Sequence, residues 1–112
     1  MGLFKNSSTR TNSKQKDNAL KPVTLNMGAD MSLKLVEEAL KGFEFETLSP
    51  RPDYHEIYAA KEDCEFTFSF IEDFGKTHLS VLAFSEKHPL RMRKLLKSIM
   101  LYIREKMEAH IE

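Results

Sequence analysis

The run Cys64-Glu65-Phe66-Thr67-Phe68-Ser69-Phe70 decides the fold. Successive side chains of a strand point to opposite faces, so Phe66, Phe68 and Phe70 share one face while Glu65, Thr67 and Ser69 share the other. This alternation belongs to an antiparallel sheet covered on a single side. Phe43-Glu44-Phe45-Glu46-Thr47 alternates in the same way. Residues 54–60 read as a shorter strand between the turns Ser49-Pro50-Arg51-Pro52-Asp53 and Lys61-Glu62-Asp63. Past the connection Glu72-Asp73-Phe74-Gly75-Lys76, residues 77–84 form a fourth strand. Its two faces, Leu79, Val81 and Ala83 against His78, Leu82 and Phe84, are both partly apolar, which places it centrally or under a helix.

Helical patterns flank the strands. Asp30 is positioned to cap a helix over residues 31–41, whose Leu33, Val36 and Leu40, with Leu35 and Ala39, make one apolar face, and Gly42 supplies a stop. His88 before Pro89 is biased to an extended backbone, and Pro89 suits the first turn of a helix running to about Ala109. Along it Met92, Leu95, Leu96, Ile99, Tyr102, Ile103 and Met107 share a broad face. Arg93, Lys97 and Arg104 line one flank and Arg91 and Lys94 the other, while Leu90 and Leu101 emerge near the polar centre. The expected fold is α+β: a helix, a four-stranded antiparallel meander and a long C-terminal helix, with both helices on one sheet face.

The 112 residues allow one domain at most. Residues 5–21 are Asn, Ser, Thr, Lys and Gln with almost nothing apolar, so little burial offsets the entropy of ordering them. The expected organisation is a disordered basic arm over residues 1–22 and a single α+β domain over residues 23–112. A formal net charge of zero conceals charge sorting: the arm carries +4, residues 23–86 carry −8 and residues 87–112 carry +4. Such sorting bears on partners and association.

No catalytic signature emerges. Gly75-Lys76-Thr77 matches the end of a phosphate-binding loop, but Phe70 stands where that loop needs glycine, and a strand rather than a helix follows. Asp73-Phe74-Gly75 lacks every companion of the kinase tripeptide it matches. His55, His78, His88 and His110 show no metal-ligand spacing with one another or with Cys64. No metal or cofactor is expected, and the protein is not expected to be an enzyme. The single cysteine suits a reducing compartment, and no segment reads as a membrane span or secretory signal, so the cytoplasm is the expected location.

The stretch from Lys87 to Lys97 has more content. Five cations fall at the start of a helix, where the macrodipole prefers negative charge, so the stretch reads either as an anion site or as a solvated basic flank neutralised by the domain's own acidic block. The expected function is a binding or adaptor domain that contacts a protein through this helix, with Lys87, Arg91, Arg93, Lys94, Lys97, Leu90 and Leu101 as the partner- or anion-binding residues. Weak, sequence-tolerant nucleic-acid binding by arm and helix is the alternative from another class. The helix surface and a sheet face left uncovered also permit a homodimer.

Residues 79–107, a strand followed by a basic Leu/Met-rich helix, are similar to the acetyl-coenzyme-A-binding strand and helix of GNAT acetyltransferases, including the small acetyltransferase-like proteins of phage virions. The similarity covers about a third of the chain and implies a degenerate acyl-CoA-binding protein as a further alternative. The glycine-rich pyrophosphate loop of active members would fall near residues 85–91, which contain no glycine. The element order also resembles type III secretion chaperones and related small binding domains.

Overall fold

The computed structural model describes residues 8–12 and 17–112. It is α+β, with two helices on an antiparallel sheet. The strands are β1 (Ser8–Arg10), β2 (Val23–Leu25), β3 (Thr47–Arg51), β4 (Glu56–Lys61), β5 (Cys64–Asp73) and β6 (Lys76–Phe84). The helices are α1 (Ala29–Leu40) and α2 (Pro89–Lys106). The last four strands form the expected meander, ordered β6-β5-β4-β3. The sheet has six strands rather than four, because β1 and β2 both pair with the remaining edge of β6, β1 at Leu82–Phe84 and β2 at Thr77–Leu79.

β1 and a 3-10 turn over Asn18–Leu20 belong to the segment expected as a disordered basic arm; residues 1–7 and 13–16 of that arm lie outside the described residues. Hydrogen bonding, more than apolar content, orders the segment. Between β1 and β2, the Thr11 amide donates to the Val81 carbonyl at 2.9 Å, and the Val81 amide donates to the Thr11 hydroxyl at 2.8 Å. The backbone ladder is thus satisfied by a side chain where no strand residue stands. Thr9, Thr11, Ala19 and Leu20 are buried. On its outer side β2 meets the C-terminus, where Leu25 bridges to Ile111 and the Asn26 amide donates to the His110 carbonyl at 2.7 Å.

The covered face carries Ile57 and Ala59 of β4, Cys64, Phe66, Phe68 and Phe70 of β5, and Thr77, Leu79, Val81 and Ala83 of β6, all buried. Against it pack Leu33, Val36 and Leu40 of α1 and Met92, Leu96, Ile99, Met100 and Ile103 of α2. Each such side chain is worth about 1.5–3 kcal/mol when removed from water. Among the described residues nothing covers the other face, where the Tyr58 hydroxyl donates to Glu65 at 2.7 Å and the Arg51 guanidinium lies 5.6 Å from the Tyr58 ring centroid.

Three local expectations are corrected. The first strand of the meander begins at Thr47, not Phe43: residues 41–43 form a 3-10 turn, Glu44 is left-handed at φ 53°, and Phe43 and Phe45 serve the core edge-on to Tyr102 and Phe66. The alternation at 43–47 therefore reports two rings packed beside a helix rather than strand geometry, and Pro50 sits within β3, at the edge of the sheet, where its missing donor is tolerated. Asp30 does not cap α1, which starts after Gly28; the Ala29 amide donates to Oε1 of Glu72 at 2.7 Å instead. Gly42 is no left-handed stop but a close approach, since a Cβ there would meet the Tyr102 hydroxyl at 3.0 Å.

Candidate functional site

The α2 helix forms because Pro89 opens it and its apolar residues recur at helical spacing, which buries Met92, Leu96, Ile99, Met100 and Ile103 and turns its cations outward. Its start is held from the β4–β5 turn. In that two-residue turn Glu62 and Asp63 have φ of 51° and 66°, as a type I′ hairpin demands. The Asp63 carboxylate then accepts from the Lys87 amide at 2.9 Å and the Ser85 hydroxyl at 3.2 Å, while Ser85 Oγ accepts from the His88 amide at 2.9 Å. The Lys87 amide, then the Ser85 hydroxyl and the nearby cations, hold the Asp63 carboxyl below its ordinary pKa against the opposing effect of burial. Asp63 thus places a carboxylate just before α2, on the Lys87 amide and not on an amide of the helix itself.

The seven residues singled out from the sequence divide into two groups. Arg93 and Lys97 face the N-terminal segment. Arg93 Nη1 donates to the Thr9 hydroxyl at 3.0 Å, and Lys97 Nζ lies 2.8 Å from Asp17 Oδ2. Arg104, which the sequence reading left out of the site, joins them by donating from Nη2 to the Lys21 carbonyl at 2.8 Å. Asp17 in turn accepts from the Ala19 amide at 3.0 Å, and its carboxyl is held below the ordinary value by the hydrogen bond from Lys97 and then by that amide. The signal that could have revealed this is the central position expected for residues 77–84, because a central strand needs a hydrogen-bonded neighbour along each edge.

The remaining group points to solvent. Leu90 is 72% exposed and Leu101 50% exposed, and Arg91, Lys94 and Lys87 are exposed with no ion pair to the described residues. Leu90, Lys94 and Leu101 follow i, i+4, i+11 spacing and so lie in one stripe about 16 Å long. It offers apolar contact and positive charge but no nucleophile or general base.

A separate cleft of about 610 Å³ opens between α1 and the β3–β4 connection, lined by Leu33, Pro50 and Pro52 with Asp30, Lys34 and His55 among its polar groups. Asp30 Oδ1 stands 3.7 Å from His55 Nε2. Among the described residues no group of three or more His, Cys, Asp or Glu side chains could hold a metal ion. Cys64 is buried, and burial raises its thiol pKa. No described helix is long and apolar enough to cross a membrane. Comparison with known proteins finds no matching family model, no matching curated protein and no matching solved structure.

Proposed function

We propose that this α+β protein is a non-enzymatic binding domain that meets a protein partner through the outward stripe of α2. The observation that carries the reading is the exposure of Leu90 and Leu101 on either side of Lys94, with Arg91 and Lys87 beside them. The fitting partner presents apolar side chains ringed by carboxylates. Burial of the leucines supplies affinity, and the cations steer the encounter. Arg93 and Lys97 belong to the scaffold, since they are engaged by Thr9 and Asp17.

That engagement weighs against nucleic-acid binding, which needs those same cations for phosphate contacts. The Asp63 carboxylate, bound to the Lys87 amide and the Ser85 hydroxyl just before α2, weighs against an acyl-CoA pyrophosphate there, because it sets a negative charge beside the incoming one. As part of the same proposal we place the protein in the cytoplasm, where an unpaired buried Cys64 stays reduced.

The test is site-specific photo-crosslinking from position 90 or 101 in cells, with position 67 on the uncovered sheet face as control. A partner captured from α2 is then purified and titrated by calorimetry. Leu101→Glu is expected to weaken its binding at least tenfold and Lys94→Glu to slow association. Capture from position 67 alone, or affinity indifferent to Leu101→Glu, would overturn the reading.

A further inference from the structure

We infer that two copies of this chain pair through the uncovered face of the sheet, forming a four-layer dimer with the helices of both copies outside. Cross-strand partners put their side chains on the same face, so the register fixes what this face presents. Its centre is Thr67 and Ser69 of β5 opposite Leu82 and Ser80 of β6, with Phe84 at one end and Ile71 at the other. Ile71 is 57% exposed, Phe84 41% and Leu82 37%. Large apolar side chains scattered singly over a surface are ordinary, but three on one face with no charge between them form a patch that calls for a cover.

The polar groups bordering the patch already have partners. Glu65 accepts from the Tyr58 hydroxyl at 2.7 Å, the Arg51 guanidinium lies over the Tyr58 ring, and the Thr24 hydroxyl stands 3.0 Å from Nδ1 of His78. Covering them therefore strips water from groups that keep a partner, which lowers the cost that ordinarily holds a polar sheet face wet. The hydroxyls of Thr67, Ser69 and Ser80 can each donate and accept, so they suit their own counterparts across a two-fold axis.

Charge and size select a second copy as the occupant. On this face Arg10 and Arg51 balance Glu56 and Glu65, so it favours neither an acidic nor a basic partner. The formal net charge of the whole chain is zero, and two copies meet without mutual repulsion. The path β3-β4-β5-β6-β1 is five strands wide, and residues 65–71 pair with residues 78–84 along its height. At about 4.8 Å per strand and about 3.3 Å per residue the face measures roughly 550 Å², so two faces bury roughly 1,100 Å². A specific interface needs about 1,000 Å² in total, which makes the dimer a weak one with a Kd on the order of 1–100 µM.

Pairing is by face rather than by edge. Pro50 blunts β3, and the opposite edge consists of the three-residue β1 and of β2, which Ile111 already bridges. Sheets stacked face to face lie about 10 Å apart with their inner side chains interdigitated. Both helices stay outside, so α2 keeps its outward stripe in the dimer. A copy of this chain captured from position 67 belongs to the dimer, and a different protein captured from position 90 or 101 belongs to the reading of α2.

Sedimentation velocity from about 1 µM to about 1 mM spans the expected Kd. The wild-type chain is expected to shift from monomer to dimer. Thr67→Arg, which sets a charge at the centre of the patch, and Leu82→Lys are each expected to raise the Kd at least tenfold while keeping the wild-type circular dichroism spectrum, whereas Leu101→Glu dimerises as the wild type does. On dilution of the wild type, amide resonances of residues 65–71 and 78–84 are expected to move and those of residues 90–101 to stay. A wild type that stays monomeric throughout, folded Thr67→Arg and Leu82→Lys chains that dimerise as tightly as the wild type, or dilution shifts confined to α2 would overturn the inference.

Discussion

Nζ of Lys97 lies 2.8 Å from Oδ2 of Asp17, and this contact ties the N-terminal segment across the basic flank of α2. Both side chains remain substantially exposed, so the pair contributes only about 0.2–1 kcal/mol and weakens with salt. Lys97→Ala is therefore expected to leave the melting temperature nearly unchanged while speeding amide exchange at Ala19 and Leu20. Hydrogen exchange read by mass spectrometry checks this. Unchanged exchange there would mean that the backbone ladder and the buried Leu20 hold the segment without the pair.

Acid is expected to loosen both ends of α2's support. Asp17 and Asp63 have carboxyls lowered from an ordinary value of 3.8, by Lys97 and by the Lys87 amide respectively. A carboxyl depressed in the folded state contributes stability that is fully present above its unfolded pKa and is lost as pH falls through its native value. Stability should thus decline as pH drops below about 4, with a shallower decline in Asp17→Asn and Asp63→Asn. Urea titrations across pH 2–6 measure it.

Glu72 and Asp30 offer a direct contrast at the start of α1. Glu72 accepts the Ala29 amide, whereas Asp30 makes no capping bond. Glu72→Ala is expected to cost about 1 kcal/mol. Asp30→Ala should stay within about 0.5 kcal/mol of wild type. Chemical denaturation separates them, and equal losses would count against the cap.

Phe68→Ala is expected to cost roughly 3–5 kcal/mol, because the ring is fully buried between sheet and helices. Leu101→Ala on the outer stripe should change stability by less than about 0.5 kcal/mol. A large loss at Leu101 would assign it to the core rather than to a contact surface.

The meander and both helices are legible in the sequence because period-2 alternation at residues 64–70 and helical spacing in α1 and α2 are local patterns set by which face meets the core. The exposed positions of Leu90, Arg91, Lys94 and Leu101 follow from the same spacing. What escaped were features depending on chain segments that only meet in three dimensions. Residues 8–12 carry no apolar period, yet β6 recruits them through its free edge, and Thr11 completes a ladder that composition cannot reveal. Phe43 and Phe45 alternate as a strand would, but Tyr102 and Phe66 claim their rings.

By itself, then, the sequence determined the α+β class, the single apolar sheet face and the outward cations of the last helix, because burial periodicity is written residue by residue. Tertiary structure alone decided the six-stranded sheet, the cap from Glu72, the seat of the Asp63 carboxylate on the Lys87 amide and the split between cations that tie down the N-terminal segment and cations left facing water. Each is a pairing between groups far apart in sequence, and a hydrogen bond or ion pair has no periodicity to betray its partner in advance.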